Sequence, residues 1–440
     1  MNRVIVSFVL AACVTAVNAE VPSVLAIRNA RVVTAAGPML PKGTVVVRNG
    51  LIESVGANAA IPADAWVLDG EGLTVYPGLI DALSGWGIPE AAPSAPTGRG
   101  GGGPPAALIA TATPVRPTTG EDRQQNMSFQ RAADLLRPTD RRLQEARNAG
   151  FTTSITFPSG GIIAGQGAAI NLAGDKPGQM VLTSTVGLHL SLTSRGFTAF
   201  PGSLMGVIAY IRQVYLDAGH YQYAKDAYQR NPRGLRRPEY DRSLEGVLES
   251  PRILLPATRA VEIERMLRFA AELKKTAVLY GGHEAYRAAD LLKSSATPML
   301  VSLRWPERAR DSDPDQVESL RTLELRDKAP STPAALVKAG VPFAFYSAGI
   351  ERPVEVIRAV KRALDAGLSR EDAVRAMTLS PAEIYGLSDR LGSIEPGKIA
   401  NLLITDGELF EERTRVKYVL IDGKKFEPAA TTPAAEEVTR

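Results

Sequence analysis

The chain has 440 residues, 45% of them hydrophobic and 22% charged, which is enough apolar material for a large core and excludes a disordered chain. Its 51 basic and 47 acidic residues leave a formal charge of +4, too even a mixture for a nucleic-acid stripe or a membrane-binding face. Nucleic acid is therefore not an expected partner.

Met1-Asn2-Arg3, the apolar run over residues 4–17 and the small-residue exit at Asn18-Ala19 read as a secretory signal over 1–19. The mature chain then begins near Glu20, in a periplasmic or secreted compartment. A competing reading takes Leu10-Ala11-Ala12-Cys13 as a lipoprotein cleavage site, with Cys13 lipidated and the product anchored to a membrane. The apolar segment before Cys13 is short and continues beyond it, which favours the soluble product. Cys13 is the sole cysteine, so removal of 1–19 leaves no thiol for a disulfide or a thiolate metal site. No later stretch supplies the roughly 18 apolar residues of a spanning helix.

Residues 24–33, 43–48, 51–55 and 66–75 are short β-rich runs, with Asn49-Gly50 as a hairpin signal. Residues 400–405 and 415–421 repeat the pattern, with turns at Asp406-Gly407 and Asp422-Gly423. Neither end can close a core alone, so 20–74 and 391–428 are expected to pair into one composite β-sandwich, followed by a flexible tail over 429–440. Between them, over 75–390, short apolar strands alternate with helices, the pattern of a parallel α/β barrel. Barrel strands are expected at 74–83, 151–157, 179–190, 252–257, 276–280, 298–303 and 342–347, with the eighth at 168–172. Helices are expected over 261–274 and over 352–366, the latter ending at Gly367, and another from Ser369 through Met377. A Gly/Pro-rich loop over 91–120 follows the first barrel strand and falls on the rim where barrels keep their sites, as a lid or as a solvated insertion.

Four segments carry a family resemblance. Val75-Tyr76-Pro77-Gly78-Leu79-Ile80-Asp81 resembles the first-strand signature of the amidohydrolase superfamily, especially its imidazolonepropionase-like branch. Gly282-His283-Glu284-Ala285 is similar to a motif after the sixth strand, and Leu379-Ser380-Pro381-Ala382 with Gly386-Leu387 to the end of the last barrel helix. The run from Leu391-Gly392-Ser393-Ile394 to Asn401-Leu402 resembles the return into the sandwich. The resemblance implies a distorted (β/α)8 TIM-type barrel with a composite β domain. It also implies hydrolysis of non-peptide C–N bonds, such as those of cyclic amides, by one or two divalent metals, usually zinc, that ionise a bound water.

The residues aligned with the family's metal ligands are different in kind. Leu83 and Gly85 stand for the paired histidines of the first strand, Pro256 for the fifth-strand histidine and Ala348 for the eighth-strand aspartate. No lysine lies between Lys176 and Lys225 to be carboxylated near the fourth strand, and the chain has 3 histidines in all. No metal cofactor is therefore expected. His283 and Glu284, at a strand-to-helix step on the presumed active rim, are the candidate catalytic pair; the alternative is a structural contact at the helix start. His189 is a second candidate ligand, His220 is expected to be exposed, and Asp81 to hold backbone or a rim arginine. The Gly160-Gly161 and Gly165-Gln166-Gly167 run is expected to be a β excursion rather than a phosphate cradle.

These residues point to a catalytically impaired or inactive member of the family. It would bind a small amide-like ligand, as a homo-oligomer or as the heteromeric partner of an intact amidohydrolase. Two rival readings are an active hydrolase with a relocated or single metal at His283 and His189, and an envelope binding or structural protein.

Overall fold

The computed structural model describes residues 23–89, 125–193, 201–308, 313, 315 and 317–428. The leader, Cys13, the whole of the 91–120 loop and the 429–440 tail lie outside them. In chain order the described strands are β1 (Val24–Val32), β2 (Leu40–Arg48), β3 (Leu51–Gly56), β4 (Trp66–Asp69) and β5 (Thr74–Pro77). The barrel strands follow as β6 (Leu79–Ser84), β7 (Phe151–Thr156), β8 (Ile163–Asn171), β9 (Val181–Leu190), β10 (Ile253–Ala257), β11 (Ala277–Gly281), β12 (Met299–Ser302) and β13 (Phe343–Tyr346). The chain ends with β14 (Leu402–Thr405), β15 (Val416–Ile421) and β16 (Lys424–Phe426).

The two ends form one sheet in the order β16-β15-β14-β5-β1-β2-β3, with β4 alongside β1. Its central junction is the antiparallel pair β5·β14, in register from Thr74↔Thr405 to Pro77↔Leu402. Ile27, Val45, Val47, Val75, Leu402, Ile404 and Leu420 fill one core between segments far apart in sequence. The β2–β3 hairpin turns at Asn49 and Gly50, both with positive φ (50° and 81°), as its Asn-Gly signal requires.

The expected strand over 74–83 is two strands in different sheets. Tyr76 donates its hydroxyl to Glu408, 2.8 Å away, while Pro77, which has no N–H for a ladder, marks the step at which the chain leaves the first sheet. The barrel strands then follow in sequence order from β6 to β13. All neighbours are parallel except β8, which runs antiparallel to both β7 and β9. Thus the eighth strand expected at 168–172 exists, but it begins five residues earlier, runs through the Gly165 and Gly167 segment, and reverses direction.

Alternation sorts the barrel side chains into two layers. Ile80, Ile155, Ala169, Val186, Leu254, Val278, Leu300 and Ala344 point inward. Ile253, Leu255, Leu279, Met299, Val301, Phe343 and Phe345 face the surrounding helices. Helix Ala260–Glu272 buries Ile263, Met266, Phe269 and Ala270 on that outer layer, and Pro353–Asp365 buries Val356, Val360 and Ala363. Helix Arg370–Ala376 starts at Ser369, whose side chain accepts from Asp372 N. Helix Leu379–Tyr385 plugs the inner layer: Ala382, Ile384 and Tyr385 join it, and the Tyr385 hydroxyl donates to Ala82 O at 2.8 Å.

Asp81 holds the seam between the first and last barrel strands. Its carboxylate accepts from the backbone N–H groups of Leu83 (3.3 Å) and Ser347 (3.0 Å) and from the Ser347 hydroxyl. One residue beyond, Ala348 N donates to Leu83 O at 3.3 Å. The carboxyl is fully buried, and desolvation outweighs these three donors, pushing its pKa up from 3.8 to about 7. An aspartate with a raised folded-state pKa binds its proton more tightly folded than unfolded. Its contribution is therefore fully present below the unfolded value and lost as pH rises through the folded one, at up to about 1.4 kcal/mol per pH unit. Urea unfolding from about pH 5 to about pH 8 is expected to show the natural chain losing stability relative to Asp81→Asn; parallel pH profiles would contradict it.

Candidate active site

The mouth of the barrel follows from the alternation just described. Two residues beyond inward Leu254, Val278, Leu300 and Ala344, the same faces carry Pro256, Tyr280, Ser302 and Tyr346 at the C-terminal ends of β10 to β13. On β9, His189 lies three residues past inward Val186; Phe157 directly follows β7. Gly167 on β8 leaves room for the Phe157 ring, since a Cβ there would sit 2.2 Å from a ring carbon.

These side chains form a contiguous aromatic wall. Phe157 meets His189 edge-on at 5.8 Å between centroids, His189 meets Tyr280 at 5.5 Å, and Tyr280 meets Tyr346 at 6.3 Å with the rings nearly perpendicular. His189 Nδ1 lies 2.9 Å from Pro158 O and Nε2 lies 3.1 Å from the Tyr280 hydroxyl. A carbonyl can only accept, so Nδ1 carries the proton in that bond. Burial holds the His189 pKa below its usual value, opposed by the Pro158 carbonyl, and leaves the ring neutral with an Nε2 lone pair facing Tyr280. The Tyr280 O–H is shared between that lone pair and Leu190 O, 3.3 Å away. Burial raises the pKa of both Tyr280 and Tyr346, so both remain protonated donors at neutral pH.

Each of the residues singled out in the sequence has a definite place. Leu83 is buried at the seam beside exposed Ala348, Pro256 pairs in register with Tyr280, and Gly85 faces open space where a Cβ would meet nothing within 4 Å. His220 is exposed on the helix Leu204–Arg230. Asp81 holds backbone, as described above. Glu284 is buried, and its carboxylate accepts from Ala260 N at 3.0 Å, capping the helix Ala260–Glu272, with Arg321 at 3.7 Å. The His283 ring lies 6.0 Å from that of Trp305, centroid to centroid and tilted by 39°, and its Nε2 is buried with no hydrogen-bond partner. Burial lowers its pKa, opposed by backbone hydrogen bonds at Ser302 and Arg304. His189 and His283 thus contact different residues. Sequence reading missed Phe157, Tyr280 and Tyr346, although the period of two in 276–280 and 342–347 carried the signal for the two tyrosines.

Comparison with known proteins follows the same outline. Residues 305–426 match the family model described as the amidohydrolase family. An amidohydrolase of Thermotoga maritima MSB8 superposes with a TM-score of 0.73 at 26% identity, covering 92% of this chain and 100% of that one. The fold is that of an amidohydrolase.

A second solved structure, a Xaa-Pro dipeptidase with methionine bound in its active site, superposes with a TM-score of 0.55 at 16% identity over 92% of this chain and 100% of its own. In sequence, a protein of Halalkalibacterium halodurans assigned by name to the adenine deaminases is 29% identical over 148 residues; the match spans 33% of this chain and 24% of that protein.

The fold family implies a metal at this mouth, and the residues present do not fit one. Among the described residues no group of three or more His, Cys, Asp or Glu side chains lies close enough to share an ion. At the mouth itself, His189 has both nitrogens in hydrogen bonds and the Asp81 carboxylate is spent on the seam. What this mouth offers is a neutral imidazole paired with one phenol, a second phenol that holds its proton, and flat apolar faces to pack against.

Removing the Tyr280 hydroxyl strips the His189 lone pair of its donor. Tyr280→Phe is expected to cost about 1–2 kcal/mol of stability and to move the His189 titration upward, because a donor to the neutral ring favours that ring. Unfolding curves and imidazole NMR titration read the two effects.

Proposed function

We propose that this amidohydrolase-fold protein does not cleave C–N bonds through a metal-activated water, and that its mouth binds a small amide-like or peptide ligand. It does so alone or as the partner subunit of an intact amidohydrolase. The observation that carries this reading is the wall of Phe157, His189, Tyr280 and Tyr346 at the position where the fold keeps its chemistry. Activation of water requires a cation held by neutral imidazoles and carboxylates. Here Leu83, Gly85, Pro256 and Ala348 replace such groups, and none has a side-chain donor atom. An amide suits the wall instead: its carbonyl accepts from a tyrosine hydroxyl, and its flat face stacks on the rings. The leader-like residues 1–19 support a location outside the cytoplasm for this binding.

A second reading keeps hydrolysis, with one ion relocated to His283. It is favoured by the buried, unpartnered Nε2 of that ring. One preparation separates the two. Protein purified without chelator is expected to contain far less than about one metal ion per chain, to bind N-acyl amino amides or dipeptides saturably in calorimetry, and to release no product. Roughly stoichiometric zinc, with turnover abolished by His283→Ala, would establish the second reading and overturn the first.

A further inference from the structure

The helix Leu204–Arg230 has 27 residues, about 40 Å at roughly 1.5 Å per residue. The barrel helices Ala260–Glu272 and Pro353–Asp365 have 13 each. Its fully buried side chains, Val207, Ile211, Val214 and Ala218, form one stripe confined to its first 15 residues. Beyond it, the contacts are those of a side brace: Tyr221 donates its hydroxyl to Glu245 at 2.8 Å and Lys225 pairs with the same carboxylate. That carboxylate belongs to the helix Arg242–Glu249, which Asp241 caps. The last turn and the loop 231–241 therefore stand out from the body of the barrel as the end of an arm.

That end departs from the even charge mixture of the whole chain, which by itself gave no reason to expect a membrane-binding face. Between Arg230 and Arg237 there are 4 arginines and no acidic residue, in a chain whose charge is otherwise near balance. Arg236 pairs with Glu239, while among the described residues no carboxylate lies in ion-pair range of Arg230, Arg233 or Arg237. Leu235 N donates to Pro232 O across a β-turn at 3.3 Å, with Gly234 at φ 77°, the left-handed conformation that a type II turn demands at its third position. The turn sets Leu235 between Arg233 and Arg236. Leu235 is 49% exposed, and Tyr240 and Tyr223 nearby are each 67% exposed.

We infer that this arm docks on an anionic lipid surface through Arg230, Arg233, Arg237, Leu235 and Tyr240. Water solvates the guanidinium groups but leaves the exposed leucine and tyrosines without apolar contacts. At a bilayer interface the guanidinium groups meet phosphates while the apolar side chains enter the headgroup boundary. An acidic protein or a nucleic acid would reward the charges but leave Leu235 without a role. The surface is separate from the barrel mouth and does not depend on how the mouth functions.

Co-sedimentation of the full chain with vesicles tests the assignment, using phosphatidylcholine alone and phosphatidylcholine mixed with phosphatidylglycerol. Partition is expected to require phosphatidylglycerol and to weaken with added salt. It should fall on the order of tenfold or more in Arg233→Glu/Arg237→Glu and several-fold in Leu235→Ser. Circular dichroism should show both exposed-site variants folded as the natural chain is. Equal binding to both vesicle types, or binding unchanged in the arginine variant because another segment carries it, would overturn the proposal. So would loss in the arginine variant with no effect of Leu235→Ser and equal capture of soluble polyglutamate, which is the signature of a general polyanion site.

Discussion

A parallel barrel is stable only if its first strand finds its last, and here that closure passes through a buried carboxylate. Asp81 gathers Leu83 N, Ser347 N and the Ser347 hydroxyl, drawing β6 against β13 at the level where the mouth begins. The interaction carries a cost, since desolvation drives the acid toward its neutral form even against three donors. The residues that border the seam are Leu83 and Ala348, the two that the family resemblance aligns with metal ligands. Neither side chain carries a charge or a donor, which leaves the Asp81 carboxyl to its three donors.

A second joint couples the barrel to the terminal sheet. Asn401, one residue before β14, donates its amide to Thr153 Oγ1 at 3.1 Å and Asn171 Oδ1 at 2.8 Å, and accepts from Asp422 N at 2.8 Å. One buried side chain thus ties β7 and β8 of the barrel to the turn between β15 and β16. Buried amides of this kind are costly unless every group is paired. Their pairing fixes the return of the chain end against the barrel wall, where β5 and β14 already lock the two termini together.

At the mouth, the same principle of full pairing has a chemical consequence. An imidazole that donates through Nδ1 and faces a phenol through Nε2 is stabilised as a neutral ring, and phenols in an apolar wall hold their protons. Such a surface recognises dipoles and flat faces well and generates a nucleophile poorly. The buried Glu284 serves the helix Ala260–Glu272 in the same structural way, as the carboxylate partner of its N-terminal amide.

Local chemistry was enough to read the α/β alternation, the hairpin at Asn49-Gly50, the helix start at Ser369 and the pairing of the two chain ends, because turn residues, caps and a period of two act over a few neighbours. The apolar character of Leu83, Gly85, Pro256 and Ala348 was likewise legible, since residue identity alone decides whether a donor atom exists. Three features lay beyond the sequence. The split of 74–83 at Pro77 and the reversal of β8 depend on which strand each run pairs with, not on its own pattern. The company of His189 depends on barrel stagger, which carries Tyr280, 91 residues away in the chain, to its ring nitrogen. Glu284 looked like a partner for His283 because the two are adjacent in sequence; the fold turns its carboxylate to Ala260 N instead, since a helix terminus presents unpaired amides that a nearby buried acid satisfies.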